Sequence, residues 1–209
     1  MLSLEEGKYL VELARKNIEL FIKTGKKIEI PDDIPPKFKE KAGVFVTLRK
    51  LKGSGPESKK ELRGCIGYPL PYLPLIEAVI ESSVSSATKD SRFSRVKADE
   101  LDQIIVEGSF LTPPKEIKVE KPEEYLEKIK IGRDGLIVEH SGYSGLLLPQ
   151  VPIDWKWDVE TYLEHLMQKA WLPSNIWKEK AVKISSFQAE IFEEETPRGK
   201  IVRREIGED

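Results

Sequence analysis

The strongest chemical signal in the sequence is the stretch LRGCIG, residues 62–67. It contains Cys65, the single cysteine of the chain, and Arg63 lies two residues before it. Side chains alternate between faces in an extended strand, so both would project from one face, roughly 6–7 Å apart. A neighbouring positive charge favours the thiolate form of cysteine. The stretch therefore predicts a catalytic site in which Cys65 supplies a reactive thiol and Arg63 orients an anion.

The other residues of this stretch would position the thiol. Leu62 and Ile66 would point to the opposite face and enter the core. Gly64 and Gly67 would let a ligand approach the backbone closely, which makes them candidate ligand-binding residues. A structural alternative stays open, because a lone cysteine is commonly a small buried apolar residue and strand glycines often mark bulges.

A second polar segment, DSRF at residues 90–93, follows a predicted helix. Asp90 and Arg92 would form an ion pair, and Phe93 would enter the core. Two interpretations are equally favoured. One is a buried turn held by a charge-assisted hydrogen bond, and the other is a ligand-binding arm of the Cys65 site.

Other chemistries lack the residues they need. His140 and His165 are the two histidines, and neither has a neighbour typical of a Cys–His pair, although such pairs form in space rather than in sequence. Structural zinc requires four ligands, and iron–sulfur clusters require several cysteines. The sequence has no phosphate-binding loop, and its glycine pairs lack the helix and acidic partner of a dinucleotide site. A hard-metal site built from carboxylates stays open, but no spacing indicates one. We therefore predict no metal and no cofactor.

Length and composition indicate a globular protein. The 209 residues suit one domain or two subdomains, and 34 basic residues nearly balance 36 acidic ones. No apolar run approaches the ~20 residues of a membrane span, so we expect no membrane partner. The lone cysteine favours a reducing, cytoplasmic location. High charge with few thermolabile residues is typical of a hyperthermophile.

A local basic excess occurs at residues 37–63, where nine lysines and arginines accompany three glutamates. Such a patch would suit phosphate or nucleic acid. No aromatic residues are interleaved with these charges in a way that suits stacking on bases, so a solvated surface is the favoured interpretation. Nucleic-acid binding is thereby disfavoured but stays open.

Periodicity and capping signals predict an α+β fold. An amphipathic helix begins at the capping box of Ser3 and Glu6 and ends at Gly25. The strand pattern of residues 43–51 returns at 62–67, which predicts an antiparallel pair joined by a mobile loop. The further predicted helices are 73–87, 122–130 and 159–170, and the further predicted strands are 103–111, 135–140, 145–148, 182–194 and 200–204.

Two groups of residues within these segments carry predictions of their own. The acidic run at residues 193–195 would be a solvated strand end. The tryptophans at 155, 157, 171 and 177 would build core.

Several segments together resemble the AMMECR family. The segments similar to its signature, its preceding strand and its A-x-x-D-x-R-F segment are LRGCIG at 62–67, GVFVTL at 43–48 and ATKDSRF at 87–93. Those similar to its C-terminal half are GLIV at 135–138, LLPQV at 147–151 and Trp157-Asp158. The resemblance covers nearly all of residues 4–190 and implies a fold more than a function.

The fold that the resemblance implies is an antiparallel β-sheet with flanking helices, in a single AMMECR-type domain at residues 1–209. It implies two unequal subdomains with a cleft between them. The larger would comprise about residues 1–50 and 113–209, and the smaller about residues 51–112. Pro149 and Gln150 lie in a turn-adjacent part of the resemblance and would join the Cys65 site as ligand-binding residues.

Three functions are consistent with these observations. The leading one is binding of a small molecule, with or without catalysis, in a cleft at the LRGCIG motif, and whether the protein is an enzyme stays open. The second is a non-enzymatic interaction or scaffold protein. In prokaryotes, members of the family that this sequence resembles often occur beside, or fused to, Memo-like proteins and radical-SAM proteins, which implies these as partners. The third is nucleic-acid binding through the basic surface.

Overall fold

The protein is described by a computed structural model that covers residues 2–52, 59–179 and 181–204. Helices and two antiparallel sheets make it an α+β protein, as predicted. The helices are α1 (Leu4–Thr24), α2 (Leu75–Thr88), α3 (Tyr125–Lys128), α4 (Val151–Asp154) and α5 (Val159–Lys169). The strands are β1 (Gly43–Lys52), β2 (Lys59–Tyr68), β3 (Ile104–Leu111), β4 (Lys115–Glu116), β5 (Gly135–His140), β6 (Tyr143–Leu147), β7 (Lys183–Phe187), β8 (Ala189–Glu194) and β9 (Ile201–Arg204).

The chain divides into two compact units, residues 1–111 with 190–204 and residues 112–189. This is not the predicted division, which set residues 51–112 apart from 1–50. The reason is that β1 crosses residue 50 and pairs along its length with both β2 and β3. Separating the chain there would break one continuous sheet.

The first unit has a five-stranded sheet in the order β2-β1-β3-β8-β9. Helix α1 starts at Ser3, whose side chain forms the predicted capping box with Glu6, and it ends at Gly25 in the left-handed conformation. Leu10, Ile18 and similar residues of α1 pack with α2 and one sheet face to form a single core. The site lies on β2, at the edge of this sheet.

A β-bulge at Arg63 interrupts the pairing of β2 with β1. Leu48 lies opposite Gly64 and Arg49 lies opposite Leu62, so Arg63 is the extra residue on β2. A bulge shifts the alternation of side chains by one position. Residues of β2 before the bulge therefore face the opposite way from the simple pattern of the sequence.

This bulge makes the predicted core position of Leu62 wrong. Leu62 is 38% exposed and shares the face of Arg49, whereas Gly64 and Ile66 share the face of the buried Leu48. Ile66 is half-buried rather than fully buried, because β2 is the edge strand. The predicted antiparallel pairing of residues 43–51 with 62–67 is confirmed, while the proposed mobile loop falls largely on residues 53–58, which lie outside the described part.

The second unit has a four-stranded sheet in the order β4-β7-β5-β6, packed against α5. Asp158 accepts a hydrogen bond from the N–H of Thr161 at 2.8 Å, which caps α5 as predicted. The hydroxyl of the buried Tyr162 lies 3.1 Å from the carbonyl oxygen of Leu147 and 3.2 Å from that of Asp134. Tyr162 thereby fixes the chain that leads into residues 149–150.

The strand predicted at residues 182–194 is in fact two strands. Gln188 separates β7, in the four-stranded sheet, from β8, in the five-stranded sheet. Glu193 and Glu194 are buried, so the prediction of a solvated acidic strand end is wrong. They are tolerated there because each carboxylate is paired with a cation, Glu193 with Lys60 and Glu194 with Arg15.

Candidate functional site

Cys65 stands in a row of polar side chains that crosses three strands. Thr47 of β1 lies opposite Cys65 of β2 on one side and Glu107 of β3 on the other. The Thr47 hydroxyl lies 3.2 Å from Sγ of the half-buried Cys65 and donates a hydrogen bond to it. Cross-strand neighbours share a sheet face, so the thiol, the hydroxyl and the carboxylate project on the same side.

Glu107 is the most deeply buried member of this row, with an exposed fraction of 2%. Its Oε2 atom accepts hydrogen bonds from Nε of Arg49 at 3.4 Å and from Nη2 of Arg204 at 3.1 Å. A buried carboxylate is costly unless it is paired in this way. The sheet face beside Cys65 therefore carries an organised set of charges.

The pKa of the Cys65 thiol is raised above its ordinary value in the folded protein. Burial is the main cause that raises its pKa, and the negative charge of Glu107 acts in the same direction. The hydrogen bond from Thr47 opposes this shift, and so does the charge of Arg92, more weakly. The arrangement favours a neutral thiol at neutral pH and not the thiolate expected from the sequence.

Arg63 does not activate Cys65, which corrects the prediction made from their spacing. Its Nε and Nη2 atoms each donate to Glu100 at 3.0 Å, and Nη1 donates to the carbonyl oxygen of Ser94 at 2.8 Å. Glu100 also pairs with Lys50, which lies on the face opposite Thr47. The bulge sends Arg63 to that side of the strand, where it anchors β2.

The pKa of Glu100 reflects the strength of its interaction with Arg63. The two hydrogen bonds from Arg63 are the main cause that lowers its pKa from 4.5 to about 2, although partial burial acts in the opposite direction. All three nitrogens of Arg63 thus donate a hydrogen bond to Glu100 or Ser94, which ties β2 to this segment.

Asp90 and Arg92 lie beside Cys65. Asp90 accepts a hydrogen bond from the backbone N–H of Cys65 at 2.8 Å. Arg92 binds both oxygens of Asp90, at 2.9 and 2.7 Å, and its Nη2 atom lies 3.5 Å from the carbonyl oxygen of Cys65. This pairing with Arg92 is the main reason that the pKa of Asp90 is lowered well below its ordinary value. The predicted ion pair is confirmed, and its role in ligand binding stays a prediction.

Gly64 and Gly67 are required by packing. A Cβ atom on Gly64 would lie 2.2 Å from the carbonyl oxygen of Ser86, and one on Gly67 would lie 2.2 Å from that of Val44. Ser86 also accepts a hydrogen bond from the N–H of Ile66 at 3.0 Å. The glycines let α2 and β1 approach β2 closely, and the predicted access for a ligand is not needed to explain them.

Pro149 and Gln150 belong to the second unit. Pro149 is buried, and Gln150 occupies the N-cap position of the short helix α4. Its buried Oε1 atom makes no hydrogen bond to any residue that the structure describes. An acceptor in this state suits a water molecule or a ligand, so the role of these residues stays a prediction.

Both histidines and all four tryptophans belong to the second unit, whereas Cys65 belongs to the first. The ring of His165 stacks on that of Trp157 with 3.9 Å between centroids. Trp177 is core, as predicted, but Trp155 and Trp171 are 69% and 88% exposed, which contradicts the prediction that all four build core. Among the residues that the structure describes, no cluster of three metal-ligating side chains occurs.

The basic residues at 37–63 are largely neutralised by ion pairs. Six of the nine side chains lie within 4.0 Å of a carboxylate, namely Lys37, Arg49, Lys50, Lys52, Lys60 and Arg63. A basic patch whose charges are already paired with carboxylates attracts phosphates less strongly. This supports the solvated-surface interpretation.

Thr47, Arg49 and Glu107 were not found by sequence reasoning. One signal was visible, because Glu107 is the single charged residue in the otherwise apolar and small strand IIVEGSFL. A charge within a buried strand is expensive and usually has a specific partner. The identity of the partners depends on strand pairing, which the sequence does not display.

Fold and site together define an α+β protein with two antiparallel sheets and a polar sheet face around one cysteine. The AMMECR1 family matches residues 11–192, and the chain belongs to this family. It is 54% identical to protein MJ0810 of Methanocaldococcus jannaschii over 99% of this chain and 98% of that protein. It is 52% identical to protein PH0010 of Pyrococcus horikoshii over 97% and 96%.

The fold is likewise shared with a solved relative. The crystal structure of uncharacterised protein PH0010 from Pyrococcus horikoshii matches with a TM-score of 0.84, covering 95% of this chain and 96% of that one. In the part of the chain that is described, none of the helices has the length and apolar character needed to cross a membrane.

Proposed function

We propose that the protein binds a small molecule at the LRGCIG motif, on the sheet face that carries Cys65. The observation that carries this proposal is the row of Cys65, Thr47 and Glu107, with a buried carboxylate maintained next to a half-buried thiol. Apolar residues at these positions would stabilise a sheet at lower cost. Departures of this kind from an apolar interior are expected at functional sites.

The surroundings of the thiol support a rigid site. Asp90 fixes the backbone at Cys65, and the Arg63–Glu100 pair holds the strand two residues earlier. Binding residues that are held in place by contacts with neighbouring residues lose less conformational entropy when a ligand binds. The protonated thiol favours binding as the resting role, and catalysis by Cys65 would require a ligand that draws away its proton.

The test is the alkylation of Cys65 in the native protein as a function of pH. Because the pKa is raised, the rate at neutral pH should be lower than that of a free cysteine and should increase at alkaline pH. Arg63→Gln should leave the shape of this profile unchanged, since Arg63 is not among the groups that shift the pKa. A small-molecule library is then screened for compounds that slow alkylation and raise the melting temperature.

Two results would contradict the proposal. A thiol that reacts in the unfolded protein alone would show that Cys65 is a packing residue. A library in which no compound protects Cys65 would leave the polar row without a binding role. Cys65→Ser serves as the control for modification at other residues.

A second candidate is an interaction protein, and a separate observation favours it. Trp155 and Trp171 expose large apolar rings in the second unit, and such residues are enriched at protein interfaces. Purified Memo-like and radical-SAM proteins are the partners to test by pull-down. Binding that is lost in Trp155→Ala or Trp171→Ala, with Cys65→Ser unaffected, would support this candidate over the first.

Nucleic-acid binding is the least supported candidate, because most charges at residues 37–63 are paired. It would appear as binding that weakens steeply with salt. We also propose a cytoplasmic location and a hyperthermophilic source, which the single cysteine and the many ion pairs support.

A further inference from the structure

Arg49 has a guanidinium that is fixed on one edge and open on the other. Its Nε atom donates to Oε2 of the buried Glu107 at 3.4 Å. Through Nη1 and Nη2 it makes no hydrogen bond to any residue within 2–52, 59–179 and 181–204. The side chain is 29% exposed. Glu107 therefore orients this arginine without occupying its fork.

The position of Arg49 connects it to the Cys65 site. It lies two residues after Thr47 on β1 and on the same face, about 6–7 Å along the strand. Its cross-strand neighbour is Leu62, which the bulge at Arg63 places on this face with part of its side chain exposed. A cation, an apolar side chain and a thiol are thus adjacent on one surface.

We propose that the ligand of this site carries a carboxylate or phosphate group, and that Arg49 binds this group through Nη1 and Nη2. The inference rests on the small-molecule site proposed above. A guanidinium fork matches the paired oxygens of either anion, and a lysine does not. Leu62 would contact an apolar part of the ligand, and Cys65 and Thr47 would contact the portion farther from the charge.

Cys65 provides a direct test of the charge on Arg49, because it is the single cysteine. The rates of alkylation by iodoacetate, an anion, and by iodoacetamide, a neutral analogue, are measured at one alkaline pH. Their ratio is independent of the thiolate fraction, since both reagents attack the thiolate. Arg49→Gln should reduce the ratio about fivefold, as expected for loss of one nearby positive charge.

The matched control is Lys52→Gln, which removes a charge from the same strand. Lys52 is exposed, pairs with Glu61 and should leave the ratio nearly unchanged. Arg49→Gln leaves Glu107 paired with Arg204, so the variant should fold, and circular dichroism checks this. Equal ratios in wild type and Arg49→Gln would overturn the proposal.

Protection by added anions distinguishes phosphate from carboxylate. Inorganic phosphate and butyrate are tested separately as protectants of Cys65 against iodoacetamide. Protection of the wild type that is lost in both Arg49→Gln and Arg49→Lys would support binding by the fork. Protection that persists in both variants would overturn it.

The two proposals fail in different ways. If neutral compounds protect Cys65 while neither phosphate nor butyrate does, the site stands and the anionic ligand is wrong. If neither reagent modifies the folded protein, the Cys65 site is wrong. Anion binding by Arg49 is then tested by melting temperature. Phosphate or butyrate should raise the melting temperature of the wild type and not that of Arg49→Gln. If neither anion raises it, this proposal is overturned too.

Discussion

Two buried glutamates on neighbouring strands of the first unit each pair with an arginine. The two arginines differ in how many of their nitrogens find a hydrogen-bond acceptor in the protein. Glu194 of β8 binds Arg15 through both oxygens, and it also accepts the N–H of Val106 at 3.0 Å. Nη1 of Arg15 donates to the carbonyl oxygen of Leu101, and Nη2, which also binds Glu194, donates to that of Ile104. The protein thus supplies hydrogen-bond partners for every nitrogen of the Arg15 guanidinium and for both oxygens of Glu194. We call this the closed pair.

Glu107 of β3 is equally buried, but its pair with Arg49 is not closed in this way. Arg49 uses one nitrogen, and its Nη1 and Nη2 atoms make no hydrogen bond within the described residues. Burial of a charge alone therefore does not identify a site. What separates the two pairs is whether the hydrogen-bonding capacity of the arginine is used up by the protein itself.

The largest effect is expected from breaking the closed pair. Arg15→Met removes one partner and leaves Glu194 buried without its cation, which should lower the free energy of unfolding by about 3–5 kcal/mol. Lys16→Met is the control, because its pair with Glu12 is exposed and should contribute little. Denaturant titrations of both variants measure this. A loss in Arg15→Met no greater than in Lys16→Met would show that the closed pair does not stabilise the fold.

An intermediate effect is expected at the anchor of β2. The pKa of Glu100 is 4.5 ordinarily and about 2 in the folded protein, mainly because of Arg63. A lowered folded-state pKa contributes stability above pH 4.5 that is lost as the pH falls toward 2. This contribution is about 2 kcal/mol, since each pKa unit corresponds to ~1.4 kcal/mol and part is lost to screening.

Unfolding measured between these pH values checks this expectation. Glu100→Gln cannot titrate at this position, so its stability should be lower than that of the wild type at neutral pH and should fall less steeply in acid. Parallel acid profiles for the two proteins would refute the assignment of this carboxylate as an anchor.

The smallest effect is expected at the polar row. Thr47→Val removes the hydroxyl that donates to Sγ of Cys65, and this hydrogen bond lowers the pKa of the thiol. The pKa should therefore rise further, and alkylation at neutral pH should slow about threefold, which corresponds to a weak hydrogen bond. Thr88→Val is a matched control, since its hydroxyl bonds to the carbonyl of Val84 within α2. Identical pH profiles for Thr47→Val and wild type would mean that Thr47 has no influence on the thiol.

The sequence by itself determined the local features and the family. Ser3 with Glu6 and Gly25 define both ends of α1 because capping depends on residues within a few positions of each other. The pair of Asp90 and Arg92 was predictable for the same reason. The LRGCIG stretch indicated both the AMMECR family and the site, since its residues are contiguous.

The tertiary structure alone decided how the site works. Alternation placed Arg63 beside Cys65, but the register of β2 against β1 inserts a bulge at Arg63 and reverses the face of Leu62. The partners of Glu107 are Arg49 and Arg204, which lie 58 and 97 positions away in the chain. Such contacts depend on the pairing of distant strands, and a side-chain pattern within one strand carries no information about its register with another.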